Sequence, residues 1–314
     1  MSRLNWAEPL APGAVRPDAV LALVAEDGRR LRGALWKGGG RGLAVLLPGR
    51  AEFLEKTALF ATRLAARGFV VASLDWRGQG RSERVVVPVS KGHVGDFSEY
   101  LLDLRALLTA SELAEFGPPR LVAGHSMGGA IAALATAEGL ARAPLLLSAP
   151  MFGIRIAPLQ RRIAQTLAWI AHQGGRSEAW PPVSRARAAR AYPLHAAFEG
   201  NFLVVDRAVW DWMRDLMRRE PEIAIGLPSL GWLLAAERAM RRAMRLGPLG
   251  VPGLAVIGSM ERVVSPRALA GAARRLGFET VEVAGGRHEP LIDVGAVSDP
   301  AWAAIDRFLA REGI

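Results

Sequence analysis

Residues 121–130 read LVAGHSMGGA, and the interpretation of the rest of the chain starts from them. The apolar beginning is typical of a buried strand, and the residues that follow, IAALATAEGL, have the composition of a helix. Between the two, Ser126 stands in a turn with Gly124 and Gly128 on either side. Glycine is required where a turn is so tight that adjacent backbone passes close to it. The turn therefore either only joins two elements, or it holds the Ser126 hydroxyl out for chemistry.

Short apolar runs alternate with helical patterns on both sides of this turn. The apolar runs are typical of buried strands and lie at 43–49, 69–75, 120–125, 144–150, 253–259 and 280–285, after a hairpin that turns at Asp27 and Gly28. Helical spacing predicts helices over 53–68, 96–110, 266–276 and 299–311. This alternation predicts an α/β fold with a mostly parallel central sheet and helices on both faces. Right-handed crossovers then bring the loops after the strands to one edge, where a site would be built.

Residues 150–248 interrupt this alternation. They contain helical patterns with Pro-Pro and Gly-Gly breaks and five of the nine tryptophans, but no clear strand. We interpret this segment as a helical cap, or lid, inserted into a core that consists of residues 1–149 and 249–314. The cap contains 15 Arg and 8 acidic residues, so it carries +7 of the net charge of +10. Such an excess indicates an anionic partner or surface.

The composition is that of a large globular chain. Its 314 residues are 51% hydrophobic, which is enough for a sizeable core. No apolar run reaches the roughly 18 residues needed to span a bilayer, and the first residues lack the apolar core of a secretory signal, so we expect a cytoplasmic protein. The absence of cysteine excludes disulfides and thiolate catalysis. The five histidines lack metal-ligand spacing, so we expect neither a metal nor a cofactor.

The strand–turn–helix context of Ser126 is that of a nucleophile elbow, in which a strained backbone projects the serine hydroxyl from the sheet edge. A serine needs a histidine base, and that base needs an acid to fix its tautomer. On such a sheet the expected chain order is serine, acid, histidine. His288 follows the last strand, in AGGRHEPL, and Glu261 follows the preceding strand, in AVIGSMERVVSP. We therefore predict Ser126, Glu261 and His288 as the catalytic residues.

Three neighbouring residues fit these roles less well. We expect His125 to point to the other side of the turn, Glu289 to be unable to reach back to its neighbour's ring, and Asp293 to come too late in the order. Acyl transfer also needs backbone donors for an oxyanion. One is the N–H of Met127, at the start of a helix, and the other comes from Gly49 or Arg50 after the strand at 43–49.

Taken together, these residues resemble the lysophospholipase and monoacylglycerol-lipase branch of the α/β-hydrolases. The resemblance covers about residues 20–312 and rests on PGRAEFLEK (48–56), DWRGQGRS (75–82), GHSMGG (124–129), SAPMFGI (148–154), GSMERVV (258–264) and GGRHEPL (285–291). The first and fourth matches point more narrowly to bacterial lysophospholipase-like members. The resemblance implies an α/β-hydrolase fold with an inserted helical cap.

The resemblance also carries functional residues onto this chain. It implies the triad Ser126, Glu261 and His288 and oxyanion donors at Arg50 and Met127. Asp75, Gly78, Gly80 and Ser82 match a family loop that we interpret as structural. Two positions depart from the pattern. Many monoacylglycerol lipases have His-Gly where this chain has Pro48-Gly49, and many relatives have Asp where it has Glu261.

Substrate selection is expected in the cap and beside the predicted site. Candidate substrate-binding residues are Gly49, Phe152, Trp212 and Trp232. The segment 231–247 predicts an amphipathic helix that can lie on an anionic membrane through Arg238, Arg241, Arg242 and Arg245, or else serve as a plain surface helix. From its position, the Arg50 side chain is a candidate contact for a lipid phosphate.

Three functions compete at this point. The leading one is a serine esterase or lipase that cleaves carboxylic esters of single-chain lipids, lysophospholipid or monoacylglycerol. The second is a carboxylesterase or thioesterase that acts on smaller or CoA esters. The third is a non-catalytic basic module that binds lipid, since the chain lacks a nucleic-acid-binding motif.

Overall fold

The computed structural model describes residues 4–293 and 295–314. In this part of the chain, eight strands form one sheet in the order β1-β2-β4-β3-β5-β6-β7-β8. The strands are β1 (Ala19–Val24), β2 (Arg30–Trp36), β3 (Leu43–Leu47), β4 (Val70–Asp75), β5 (Leu121–His125), β6 (Leu145–Ser148), β7 (Gly253–Gly258) and β8 (Glu279–Val283). Strand β2 is antiparallel to β1 and β4, and all other pairs are parallel. The prediction of a mostly parallel sheet is confirmed.

The helices of the described residues surround this sheet. They are α1 (Leu54–Ala65), α2 (Ser98–Leu108), α3 (Met127–Ala137), α4 (Pro158–Gln173), α5 (Arg185–Ala189), α6 (Tyr192–His195), α7 (Arg207–Arg219), α8 (Leu230–Ala243), α9 (Pro266–Leu276) and α10 (Asp299–Arg311). Short 3₁₀ turns lie at Ser111–Phe116, Pro221–Ile223 and Gly295–Val297.

The central strands are apolar throughout because both of their faces are covered. In β3 every residue is buried, and successive side chains enter opposite hydrophobic clusters. Val45 and Leu47 belong to the cluster formed with α2, α3, α8 and α9, and Ala44 and Leu46 belong to the cluster formed with α1, α7 and α10. Because β3, β5, β7 and β8 run parallel in this sheet, the loops that follow them lie at one edge.

Five helices, α4 to α8, lie between β6 and β7, and residues 150–248 contain no strand. Helix α4 packs on α8, and α8 packs on α3 of the core. The division into a core and a cap remains our proposal. Among the described residues, no helix is both long and apolar enough to cross a membrane.

Helix α8 is shorter than the predicted 231–247 and has one basic exposed side. Arg241 pairs with Glu237, and Arg242 pairs with Glu138. These two arginines and two neighbours surround an open surface concavity that is lined by Arg238, Arg241, Arg242, Arg245 and Leu246. The opposite side of the helix is buried, as Met240 and Ala243 show. The helix therefore has the predicted basic and apolar sides.

Candidate active site

Ser126 lies at the point where β5 turns into α3, in a conformation that is rare for a residue with a side chain. Its φ is 50° and its ψ is −114°. A Cβ at Gly128 would lie 2.0 Å from the Leu47 carbonyl oxygen, and one at Gly124 would lie 2.7 Å from the Gly128 carbonyl oxygen. The two glycines are therefore required by close backbone contacts, and the turn holds the serine at the carboxyl edge of the sheet.

Three side chains from three loops meet at this edge. His288 Nε2 lies 3.1 Å from Ser126 Oγ, and His288 Nδ1 lies 2.8 Å from Glu261 Oε2. All three residues are buried or nearly so: Ser126 is 9% exposed and His288 is 4% exposed. With Nδ1–H donating to the carboxylate, the Nε2 lone pair faces the serine hydroxyl. This tautomer is the one that can accept the serine proton.

Glu261 is held as a carboxylate by its surroundings. Burial alone would raise its pKa, but the hydrogen bond and charge of His288 and the backbone N–H groups of Val263 and Val264 hold the pKa below its ordinary value. Glu261 Oε1 accepts from Val264 N at 3.0 Å and also from Val263 N. Both oxygens are thus engaged, one by the imidazole and one by the backbone, so the carboxylate has a fixed orientation.

The structure distinguishes the two candidates for the second oxyanion donor. The Gly49 N–H donates to the Glu52 carboxylate. Within the described residues, the N–H groups of Arg50 and Met127 have no acceptor. The Met127 N–H also lies at the first turn of α3, where the helix dipole favours negative charge. The geometry therefore favours Arg50 over Gly49.

Behind this loop lies a buried cluster of charges. The Lys56 ammonium is 2.7 Å from Glu52 Oε1 and 2.6 Å from Glu289 Oε2. Burial would raise the pKa of Glu52, but Lys56, His125 and the Gly49 N–H lower it to about 2. Atoms of Glu52, His125 and Glu289 that could bind a metal all lie within 4.8 Å of one another. The Lys56 ammonium already lies against both carboxylates and supplies the positive charge there.

His125 and Glu289, the sequence neighbours of Ser126 and His288, both lie beside the site. The His125 ring packs edge-on against the His288 ring, with 4.8 Å between the centroids, so it lies closer to the site than the sequence suggested. Burial lowers the pKa of His125, which favours a neutral imidazole beside the proposed base. Glu289 faces Lys56 rather than His288. The sequence analysis missed Glu52 and Lys56, although their i,i+4 spacing was a signal for an ion pair.

Asp293 connects the loop after β8 to the segment that we propose to be a cap. Its Oδ1 accepts from Val205 N at 2.9 Å and from Asp206 N at 3.0 Å. Burial raises the pKa of Asp293 to about 7 despite these two donors. The carboxyl group therefore anchors the backbone of Val205 and Asp206 to this loop.

The loop after β4 fixes the start of α1. Asp75 accepts from Leu54 N at 2.8 Å, from Arg81 N at 2.9 Å and from Arg32 Nε at 2.7 Å. Gly80 has a φ of 50°, and a Cβ there would lie 2.1 Å from the Asp75 carboxyl carbon. Gly78 also has a positive φ, and the Ser82 hydroxyl donates to the Asp75 carbonyl. These contacts fit the structural role expected of this loop.

The candidate substrate-binding aromatics do not lie together. Phe152 is buried one residue after Met151, whose N–H donates to the Ser126 carbonyl at 2.9 Å. The Trp232 indole donates to the Tyr100 hydroxyl at 3.2 Å, in the cluster that contains α3. Trp212 lies in the cluster on the other face of the sheet, and its indole donates to the Pro9 carbonyl at 2.8 Å. The structure therefore places Trp212 in the packing of α7 rather than beside Trp232.

The fold and the arrangement at its carboxyl edge are those of an α/β-hydrolase. The model of the family described as serine aminopeptidase, S33, matches residues 39–295. The chain belongs to this family of hydrolases.

Relatives and solved structures agree with this assignment. Lysophospholipase L2 of Escherichia coli K12 is 32% identical over 286 residues, which cover 86% of this chain and 80% of that protein. A soluble variant of monoglyceride lipase from Saccharomyces cerevisiae has a TM-score of 0.71 at 18% identity, over 96% of this chain and 99% of that one. A carboxyl esterase from Bacillus coagulans has a TM-score of 0.73 at 17% identity, over 94% and 98%. The two structures show the shared fold.

Proposed function

We propose that the chain hydrolyses carboxylic esters of single-chain lipids through an acyl-enzyme on Ser126. The observation that carries this proposal is the continuous set of contacts from Glu261 through His288 to Ser126, with distances of 2.8 and 3.1 Å. A lipid ester is favoured as substrate because a relative that aligns over 86% of this chain is named a lysophospholipase. A further structure with the same fold is named a monoacylglycerol lipase.

In the proposed mechanism, Ser126 Oγ attacks the ester carbonyl while His288 Nε2 accepts its proton. Glu261 stabilises the imidazolium that forms. The N–H groups of Arg50 and Met127 bind the oxyanion. His288 then protonates the leaving alcohol, and water repeats the sequence on the acyl-enzyme to release the fatty acid.

In this proposal the cap covers the reacting serine. The reacting serine is only 9% exposed, so residues 150–248 would act as the lid that shields the ester from water. We also include peripheral contact between the basic side of α8 and an anionic membrane, in a cytoplasmic protein. Sedimentation with vesicles of neutral and of anionic lipid checks this contact, because only the anionic vesicles should bind the chain and salt should release it.

Two other functions stay open to test. A carboxylesterase or thioesterase would use the same residues on smaller or CoA esters, and a chain-length series of chromogenic esters separates it from a lipid hydrolase. A non-catalytic lipid-binding module would bind lipid but would not be labelled by a fluorophosphonate. The Nε2 contact with Ser126 favours an enzyme, since a binding module has no use for it.

The decisive experiment measures fatty-acid release from a lysophosphatidylcholine and from the monoacylglycerol with the same acyl chain. Ser126→Ala is the control, with its fold checked by circular dichroism. We expect release by the wild type and none by the variant. Activity that persists in Ser126→Ala would refute the assignment of the nucleophile. Failure on both lipids, with turnover of short chromogenic esters, would move the substrate to a smaller ester.

A further inference from the structure

Arg50 has an unusual side chain for a residue beside a buried site, because no carboxylate of the described residues pairs with it. Its Nη2 donates to the Gly226 carbonyl at 2.7 Å, and its guanidinium carbon lies 5.1 Å from the centre of the Trp232 ring. Its buried Nε has no acceptor within the described residues. Burial lowers the pKa of Arg50 to about 10.

Other buried arginines of this chain are neutralised. Arg32 contacts Asp75 at 2.7 Å and Glu55 at 2.8 Å. Arg77 contacts Asp103 at 2.7 Å and Asp27 at 2.6 Å. A buried charge without a counter-ion costs several kcal/mol in general, so proteins rarely keep one unless something compensates it. The missing partner at Arg50 therefore points to an anion that comes from outside the chain.

The guanidinium packs closely on one side. A Cβ at Gly92 would lie only 2.8 Å from Arg50 Nη2, so a glycine is needed there for the guanidinium to take this position. Gly226 and Trp232 belong to the proposed cap, so the guanidinium lies where cap and core meet. The residue as a whole is partly accessible to solvent. An anionic group on a substrate could therefore reach it without displacing a carboxylate.

The position of Arg50 relates this anion to the ester. Its backbone N–H is a proposed oxyanion donor, so its Cα lies close to the ester carbonyl in the proposed mechanism. In a glycerophospholipid with one acyl chain, about as many bonds separate the ester oxygen from phosphorus as separate Cα from Cζ in arginine. We propose that the Arg50 guanidinium binds the phosphate of the lipid head group and so makes phosphate-bearing lipids better substrates than neutral monoacylglycerols. This inference rests on the proposed function, and it adds a residue that selects the substrate.

The test compares kcat/KM for 1-palmitoyl lysophosphatidylcholine with kcat/KM for 1-palmitoylglycerol, both in the same neutral detergent micelles. In Arg50→Gln we expect the ratio of the two values to fall about tenfold or more, because a charge-assisted hydrogen bond is lost with only one lipid. Arg50→Lys keeps the charge but not the planar guanidinium, so its ratio should lie between those of the wild type and Arg50→Gln. Arg105→Gln removes an exposed charge of α2 and should leave the ratio unchanged. An equal loss on both lipids in Arg50→Gln would overturn the proposal, since a purely structural contact with Gly226 predicts that result.

A second measurement uses the wild type alone, so it remains informative if Arg50→Gln does not fold. A short chromogenic ester is the substrate, and glycerol 3-phosphate, inorganic phosphate and glycerol are the inhibitors. We expect competitive inhibition by glycerol 3-phosphate and none by glycerol at the same concentration. Inhibition by inorganic phosphate alone would mean that the site takes free phosphate, which overturns the head-group assignment, and no inhibition by either phosphate overturns the site itself.

The two proposals fail in different ways. If both lipids are hydrolysed and their ratio does not depend on Arg50, the proposed function stands and the phosphate site is wrong. If neither lipid is hydrolysed but glycerol 3-phosphate inhibits turnover of the chromogenic ester, the phosphate site stands and the lipid substrate is wrong.

Discussion

Replacing Lys56 with Met should destabilise the protein far more than the loss of a surface ion pair. Lys56 is 4% exposed, and its ammonium contacts Glu52 at 2.7 Å and Glu289 at 2.6 Å. Methionine is an unbranched side chain of similar length, but it carries no charge. The substitution therefore leaves two buried carboxylates facing each other without a counter-ion.

The magnitude follows from the geometry. Carboxylate oxygens of Glu52 and Glu289 lie within 4.8 Å of each other. Two negative charges at that separation repel by about 3 kcal/mol when the effective dielectric constant is about 20. Removing one partner of a buried ion pair costs about 3–5 kcal/mol in general. We therefore expect the free energy of unfolding to fall by about 3–5 kcal/mol at pH 7.

Urea unfolding followed by tryptophan fluorescence measures this change. Arg218→Met is the matched control, because Arg218 pairs with Asp215 at 2.6 Å with both side chains more than half exposed, and its loss should cost at most about 1 kcal/mol. Adding Glu289→Gln to Lys56→Met should recover part of the loss, since only one carboxylate then remains. If Lys56→Met lowered the free energy of unfolding as little as the control does, the proposed repulsion between Glu52 and Glu289 would be refuted.

The pH dependence should change sign. In the wild type the pKa of Glu52 is lowered to about 2, so the pair stabilises the protein above the pKa of unfolded Glu, and this contribution is lost as the pH falls towards 2. In Lys56→Met the two carboxylates raise the pKa of one of them, so stability should increase as the pH falls from 7 to 5. Parallel pH curves for wild type and variant would contradict this explanation.

Three further predictions concern other parts of the site. Glu261→Gln should lower kcat by roughly three to four orders of magnitude, because the amide no longer fixes the His288 tautomer, while urea unfolding stays near that of the wild type. Gly128→Ala should lower the free energy of unfolding by about 1–3 kcal/mol or more, because its Cβ would lie 2.0 Å from the Leu47 carbonyl oxygen. Gly247→Ala is the control: its Cβ would have nothing within 4 Å, so the change should stay within about 0.5 kcal/mol. Thermal unfolding measures both. The pKa of Asp293 is about 7 in the folded chain and lower in the unfolded chain, so the free energy of unfolding of the wild type should fall as the pH rises from about 4 to 7. Asp293→Asn should remove this fall. A free energy of unfolding in urea that depends on pH as steeply as that of the wild type would contradict this.

Local sequence signals were enough for much of the fold. Helix α9 spans Pro266–Leu276 as predicted, because its ends are marked by a Ser265 side-chain cap and by Gly277 in the left-handed conformation. The turn at Ser126 was predictable for the same reason, since strand, glycines and helix are contiguous. The meeting of Ser126, Glu261 and His288 was expected from topology, because the loops after parallel strands lie at one edge of the sheet.

Contacts between distant residues were not predictable in this way. Lys56 and Glu289 are 233 positions apart, and nothing in either sequence neighbourhood indicates that they pair. Trp212 illustrates a second limit, because an aromatic at helical spacing shows that one side of a helix is buried but not which face of the sheet covers it. The missing counter-ion of Arg50 could not be predicted either, because it can be recognised only when all neighbours of the guanidinium are known.

The connection from β3 to α1 contacts both the proposed oxyanion site and the loop that carries His288. Arg50 supplies the proposed oxyanion donor, and Glu52 holds the preceding Gly49 N–H. Lys56, one turn further along, contacts both Glu52 and the residue after His288. A change at Lys56 should therefore disturb the oxyanion side and the histidine side together, whereas a change at Glu261 acts on the histidine alone.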